Sequence, residues 1–116
     1  MTYIDRRSFL AAAGATGRGE AVIESCGSFA VVDEMGRGLD PAETCTAVLK
    51  RIIDRSRRQK RLFQNGKPVF NVRMYALRKD GAFGSASIYG GKKGSPFAVC
   101  TNGGARVEYG PSLYTR

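Results

Sequence analysis

The sequence predicts an α+β fold in which two helices pack on one face of an antiparallel sheet. Three observations predict it. Two segments, at 28–37 and 41–57, carry helix-capping residues and apolar positions at helical spacing. Two later segments, at 70–78 and 82–89, alternate with period two around an Asp-Gly turn. The helices precede the strands in the chain, which favours α+β over alternating βαβ units. Hydrophobic residues make up 42% of the 116 positions, enough for a real core.

In the first helix Ser28 is the expected N-cap. Phe29, Val32 and Met35 lie at helical spacing, and Gly38 supplies the stop. The second helix opens at Asp40-Pro41-Ala42-Glu43, with Asp40 as cap, Pro41 in the first helical position and Glu43 placed for a capping box. Cys45, Val48, Leu49, Ile52 and Ile53 form a single apolar stripe on it. Residues 57–67 read as a polar linker with a turn at Asn65-Gly66. Phe70, Val72, Met74 and Ala76 then alternate with Asn71, Arg73, Tyr75 and Leu77, as in a strand with one buried face. Lys79-Asp80-Gly81 has hairpin chemistry. The return strand carries Gly84, Ser85, Ala86 and Ser87, small residues suited to close packing of another layer. Further strands are expected at 97–100 and 106–109. Ahead of the helices, 14–20 reads as a glycine-rich turn and 21–24 as a short strand.

Charge and composition narrow the chemistry. Lys and Arg number 19 against 10 Asp and Glu, a net charge of +9, which makes nucleic acid a partner to weigh. Much of the excess lies in Lys50–Arg61. No aromatic residue interleaves that run to stack on bases, and cations suit the end of a helix, so nucleic acid is not the expected partner. The chain has no histidine, so Ser-His-Asp and Cys-His nucleophile systems cannot operate within it. Cys26, Cys45 and Cys100 lie far apart without a CxxC pair, so neither a zinc site nor a disulfide framework is expected, and no cofactor is called for. No apolar run approaches a membrane span. Asp5-Arg6-Arg7-Ser8-Phe9-Leu10 resembles the start of a twin-arginine export signal, but its apolar part is short. The location is read as cytoplasmic or periplasmic/secreted.

Thr16-Gly17-Arg18-Gly19-Glu20 is the chemically informative stretch. Glycines let the backbone approach a ligand, and a threonine hydroxyl beside a free N–H is a good pair of donors for a developing oxyanion. Taken alone, the stretch is equally a turn between two elements, and it lacks the Gly-Lys-Ser/Thr ending of a Walker loop.

In order, Gly14-Ala15-Thr16-Gly17-Arg18-Gly19-Glu20, Ala21-Val22-Ile23, Phe29 to Met35, Gly38-Leu39-Asp40-Pro41, the hairpin Asn71 to Gly84, Phe97-Ala98-Val99 and Gly104-Ala105-Arg106 resemble the glycosylasparaginases, of the asparaginase family of N-terminal-nucleophile hydrolases. The resemblance covers about 14–110. It implies a four-layer α-β-β-α sandwich, of which this chain would form the C-terminal part of the β chain. It implies cleavage of the side-chain amide of N4-glycosylated asparagine by a threonine whose own α-amine is the base. Thr16 and Gly17 inherit the oxyanion hole, and Thr16, Gly17 and Gly19 the substrate contact. Nothing in the chain matches the setting of the nucleophilic threonine, nor the Arg and Asp that hold the substrate's α-carboxylate and α-amine. Thr2 is the only alternative nucleophile and fits the pattern badly.

The resulting expectation is an unmatched segment over 1–13 and the C-terminal part of an amidohydrolase domain over 14–116, a fragment or subunit inactive alone. Its expected partner is the missing N-terminal half or α chain, with self-association through an uncovered sheet face as a further possibility. Two alternatives stand beside it. One is an isoaspartyl peptidase or L-asparaginase fragment, and the other is a small basic nucleic-acid-binding protein.

Overall fold

A computed structural model of the chain describes residues 11–116. The elements run β1 (Ala11–Gly17), α1 (Gly19–Glu24), α2 (Gly27–Gly36), α3 (Pro41–Ser56), a 3-10 turn (Lys60–Leu62), β2 (Phe63–Gln64), β3 (Lys67–Pro68), β4 (Val72–Arg78), β5 (Phe83–Gly90), β6 (Ser95–Thr101), β7 (Gly104–Gly110) and β8 (Ser112–Thr115). This is the α+β arrangement expected, a helical layer on a sheet.

The main sheet has the order β1-β4-β5-β8. β1 pairs with β4 and β4 with β5 in antiparallel fashion, while β8 runs parallel to β5. The ends of these strands therefore gather: Gly17, Val72, Gly90 and Thr115 all lie at one end of the sheet. α3 packs on β4 and β5, and α2 on β1 and β4. The register puts Ala13, Ala76 and Gly84 in one row and Ala15, Met74 and Ala86 in the next, all on the helical side.

α3 forms as its sequence dictates. The Asp40 carboxylate accepts hydrogen bonds from the Ala42 and Glu43 N–H groups at 3.1 and 3.4 Å, satisfying two donors of the first turn. Every residue of the predicted stripe is buried. Burying a Leu or Ile side chain completely contributes about 1.5–3 kcal/mol, so this one face is a large part of the core. Burial, with a smaller push from Asp40, raises the Cys45 thiol to about 12, which makes it a core hydrophobe and not a nucleophile.

β5 is buried from Gly84 to Ile88 on both faces. A Cβ on Gly84 would lie 2.7 Å from the Ala42 backbone nitrogen, so α3 rests directly on the strand. On the other face a Cβ at Gly110 would lie 2.2 Å from the Ser85 carbonyl oxygen, and the Phe83 and Phe97 rings meet edge to face at 6.2 Å. The β6–β7 hairpin thus covers β5. Between that hairpin and the same face of β1 and β4 lies a hollow of about 500 Å³, lined by Gly14, Tyr75, Leu77, Phe83 and Phe97 among others.

Several local expectations are corrected. Residues 14–17 belong to a strand, because pairing with β4 overrides the weak strand preference of Ala and Gly. Residues 21–24 are helical: the Val22 N–H bonds the Arg18 carbonyl, and the Cys26 N–H bonds the Ile23 carbonyl. Cys26, in the left-handed region at φ 48, caps α2 in place of Ser28 and without a side-chain bond. α2 also presents a different stripe. Gly27, Ala30, Val31 and Met35 are buried, whereas Phe29 is 72% exposed. Residues 57–67 are not a plain linker, since β2 and β3 pair across Asn65 (φ 53) and Gly66 (φ 77), the two positive angles of a tight hairpin turn.

Part of the basic run, on α3 and just after it, is engaged with acidic side chains. Arg51 pairs with Glu34 of α2, Arg58 with Glu24 of α1 at 2.9 Å, and Arg57 with Asp54 within α3 at 3.8 Å. No helix among the described residues is long and apolar enough to cross a membrane.

Candidate functional site

The site is built where β1 ends and α1 begins. Thr16 stands opposite Arg73 in the β1–β4 register and Gly17 opposite Val72. The Ala11, Ala13 and Ala15 side of β1 faces the helices, which leaves Thr16 on the other face, exposed. Its hydroxyl-bearing side chain sits at the last full turn of the pleat before the backbone leaves the sheet.

Gly17 is the residue that permits the departure. Its φ of +121 lies in the region L side chains rarely adopt. A Cβ there would lie 2.2 Å from the Asn71 carbonyl oxygen and 2.9 Å from the Val72 Cα. Sterics and backbone angle both demand glycine. The same carbonyl of Asn71 accepts a hydrogen bond from the Arg18 N–H at 3.3 Å. Gly19 is different. It is the first residue of α1, has no positive φ and has open space where a Cβ would go. Loop geometry therefore does not require glycine at position 19.

Arg18 is held from two sides. Its guanidinium pairs with Glu20 at 3.0 Å and lies 5.9 Å from the centre of the Phe70 ring. Both charges of the motif are thereby tied to each other.

Asn71 was not singled out by sequence. Beyond holding Arg18, its side-chain oxygen accepts from the Tyr89 N–H at 3.0 Å, linking the start of β4 to the end of β5. The only sequence signal for it is a polar residue placed one position before an alternating strand, which is too common to read.

Thr16, Gly17 and Gly19 are thus all exposed where β1 leaves the sheet and α1 begins. Thr2, the alternative nucleophile, and the twin-arginine-like segment lie outside the described residues. Among the described residues no group of three or more Cys, Asp or Glu side chains is placed to hold a metal ion.

No family model matches the chain. Over 101 residues, 85% of this chain, it is 34% identical to the N(4)-(Beta-N-acetylglucosaminyl)-L-asparaginase of Elizabethkingia miricola. The chain spans 27% of that protein's length. Over that stretch the chain is similar to a glycosylasparaginase.

Proposed function

We propose that this chain contributes the oxyanion-hole loop of an amidohydrolase that cleaves the side-chain amide of N4-glycosylated asparagine. The observation that carries the reading is the corner at Thr16-Gly17. An exposed threonine precedes a glycine held at positive φ against Asn71, so the chain offers a hydroxyl and a bare backbone at one rigid place. Donors fixed before reaction stabilise developing charge without reorganisation cost. The related enzyme is named for cleavage at that bond. In this reading Thr16 and Gly17 face the oxyanion, Gly19 contacts substrate, and the attacking threonine comes from chain beyond the matched stretch.

The test is a hybrid in which Gly14–Arg116 replaces the corresponding part of a related glycosylasparaginase. Self-cleavage and hydrolysis of N4-(β-N-acetylglucosaminyl)-L-asparagine are the expected outcome. Thr16→Val in that hybrid should cost about 2.7–4 kcal/mol of transition-state stabilisation, seen chiefly in kcat. Undiminished turnover in the Thr16→Val hybrid removes the assigned role. Faster cleavage of β-aspartyl dipeptides than of the glycosylated amide moves the chain to the isoaspartyl peptidase branch.

A further inference from the structure

A second cluster of side chains lies at the same end of the sheet as Thr16. It is built from β3, β5, β8 and the β2–β3 turn. The Arg116 guanidinium stands over the Tyr89 ring at 4.5 Å, and the Lys67 ammonium over the Tyr114 ring at 5.6 Å. The two rings pack on each other with centroids 5.5 Å apart. The Tyr89 hydroxyl donates to the Pro68 carbonyl at 2.5 Å, which fixes that ring against the hairpin. The Arg116 N–H bonds the Gly90 carbonyl at 2.9 Å, which fixes the end of β8 beside β5. Between them is an open cleft of about 390 Å³ lined by Gln64, Asn65, Lys67, Tyr89 and Arg116, with no Asp or Glu side chain in its wall.

Three properties specify a ligand. Two cations, each over an aromatic face, line one concavity, which favours an anion. The ring faces are already occupied by those cations, so they are not free to stack on bases, the interaction that most single-strand binders depend on. The remaining polar groups are the side-chain amides of Gln64 and Asn65, which both donate and accept, as sugar hydroxyls require.

Position adds a fourth argument, which rests on the function proposed above. The strand order places β8 three intervals from β1. At about 4.8 Å per interval β8, whose Tyr114 ring carries Lys67, is about 14 Å from β1 across the sheet end. The two sites are joined by one continuous set of contacts, from Arg18 through Asn71 to Tyr89. A glycan attached to an asparagine held at Thr16 would reach Lys67 and Arg116 by running along this end of the sheet. We infer that this cleft binds the acidic group of a saccharide, and so selects glycans that carry a carboxylate or sulfate some sugar units out from the asparagine linkage.

The experiment is a titration of the full chain, followed by NMR and calorimetry, with tetragalacturonate, neutral maltotetraose and a thymidine tetranucleotide. Tetragalacturonate should bind saturably, perturb the Tyr89, Tyr114 and Arg116 signals, and weaken as salt is raised. Lys67→Gln with Arg116→Gln should weaken it by about tenfold or more, the size of one lost charge-assisted contact. Both residues are exposed, so the fold should survive; if it does not, the perturbed signals of the unaltered chain still locate the site. The inference fails if no saturable binding occurs at millimolar concentration, if maltotetraose binds equally, if the perturbed signals lie elsewhere, or if the double variant binds undiminished. Tighter binding of the tetranucleotide would overturn it in favour of a nucleic-acid surface. Because binding is read without hydrolysis, its failure is separate from failure of the Thr16→Val hybrid.

Discussion

β5 and β1 belong to one sheet but are held in opposite ways. β5 is buried on both faces, with α3 on one side and the β6–β7 hairpin on the other. β1 lies at one end of the strand order, its Thr16 and Gly17 exposed, and it pairs with β4 alone among the described strands. The strand that stabilises the fold carries none of the Thr16-Gly17 motif. The strand that carries it contributes little burial. A reactive loop must stay accessible, so it is anchored by backbone geometry, whereas the core is anchored by area removed from water.

Three substitutions test that contrast, in falling order of effect. Ile52→Ala removes a fully buried side chain from the α3 stripe and should cost about 2–5 kcal/mol in urea unfolding, with every element lost together. A cost under 1 kcal/mol would mean that α3 is not the keystone of the core. Gly17→Ala drives a methyl into the Asn71 carbonyl at a positive φ and should cost about 1–3 kcal/mol. Here the loss should be local: hydrogen exchange should speed up in β1 and α1 while the amides of α3 and β5 keep their protection. Uniform loss of protection would show that β1 and β5 form one cooperative unit. Asp40→Ala deletes the cap of α3 and should cost about 0.5–2 kcal/mol with no change in exchange at β1.

The sequence made α3 legible because cap, proline and stripe all pointed to one answer. The β4–β5 hairpin was legible for the same reason, with Asp80 accepting from both the Ala82 N–H and Arg78 at the turn. α2 was found but rotated. Gly27, Ala30 and Val31 present little apolar bulk to a reader, yet they permit close approach, and Phe29 offered a louder but false stripe. β1 and α1 were misread because Ala-rich strands and Val-Ile-bearing helices run against local preference, and long-range pairing decided them. β8 was missed since its partner is far upstream. Of the candidate site, Gly17 was legible in type and motif, but Asn71 was not, since its role exists only once β1, β4 and β5 are side by side. The basic-aromatic cleft was also hidden: Lys50–Arg61 lacks aromatics, and the rings that matter come from β5 and β8.

The parallel pairing of β8 with β5 also has a cost in chain entropy. Ser87 meets Ser112 across the whole β6–β7 hairpin, which lies between them in the chain. Closing that excursion costs loop entropy that no local contact repays in advance. β4 and β5, joined by a tight turn, can pair as soon as both have left the ribosome. Without β8, β5 has one unpaired edge among the described strands. The pairing that brings Tyr114 beside Tyr89 is therefore non-local, and the ring pair at that end of the sheet depends on a contact that no turn supplies.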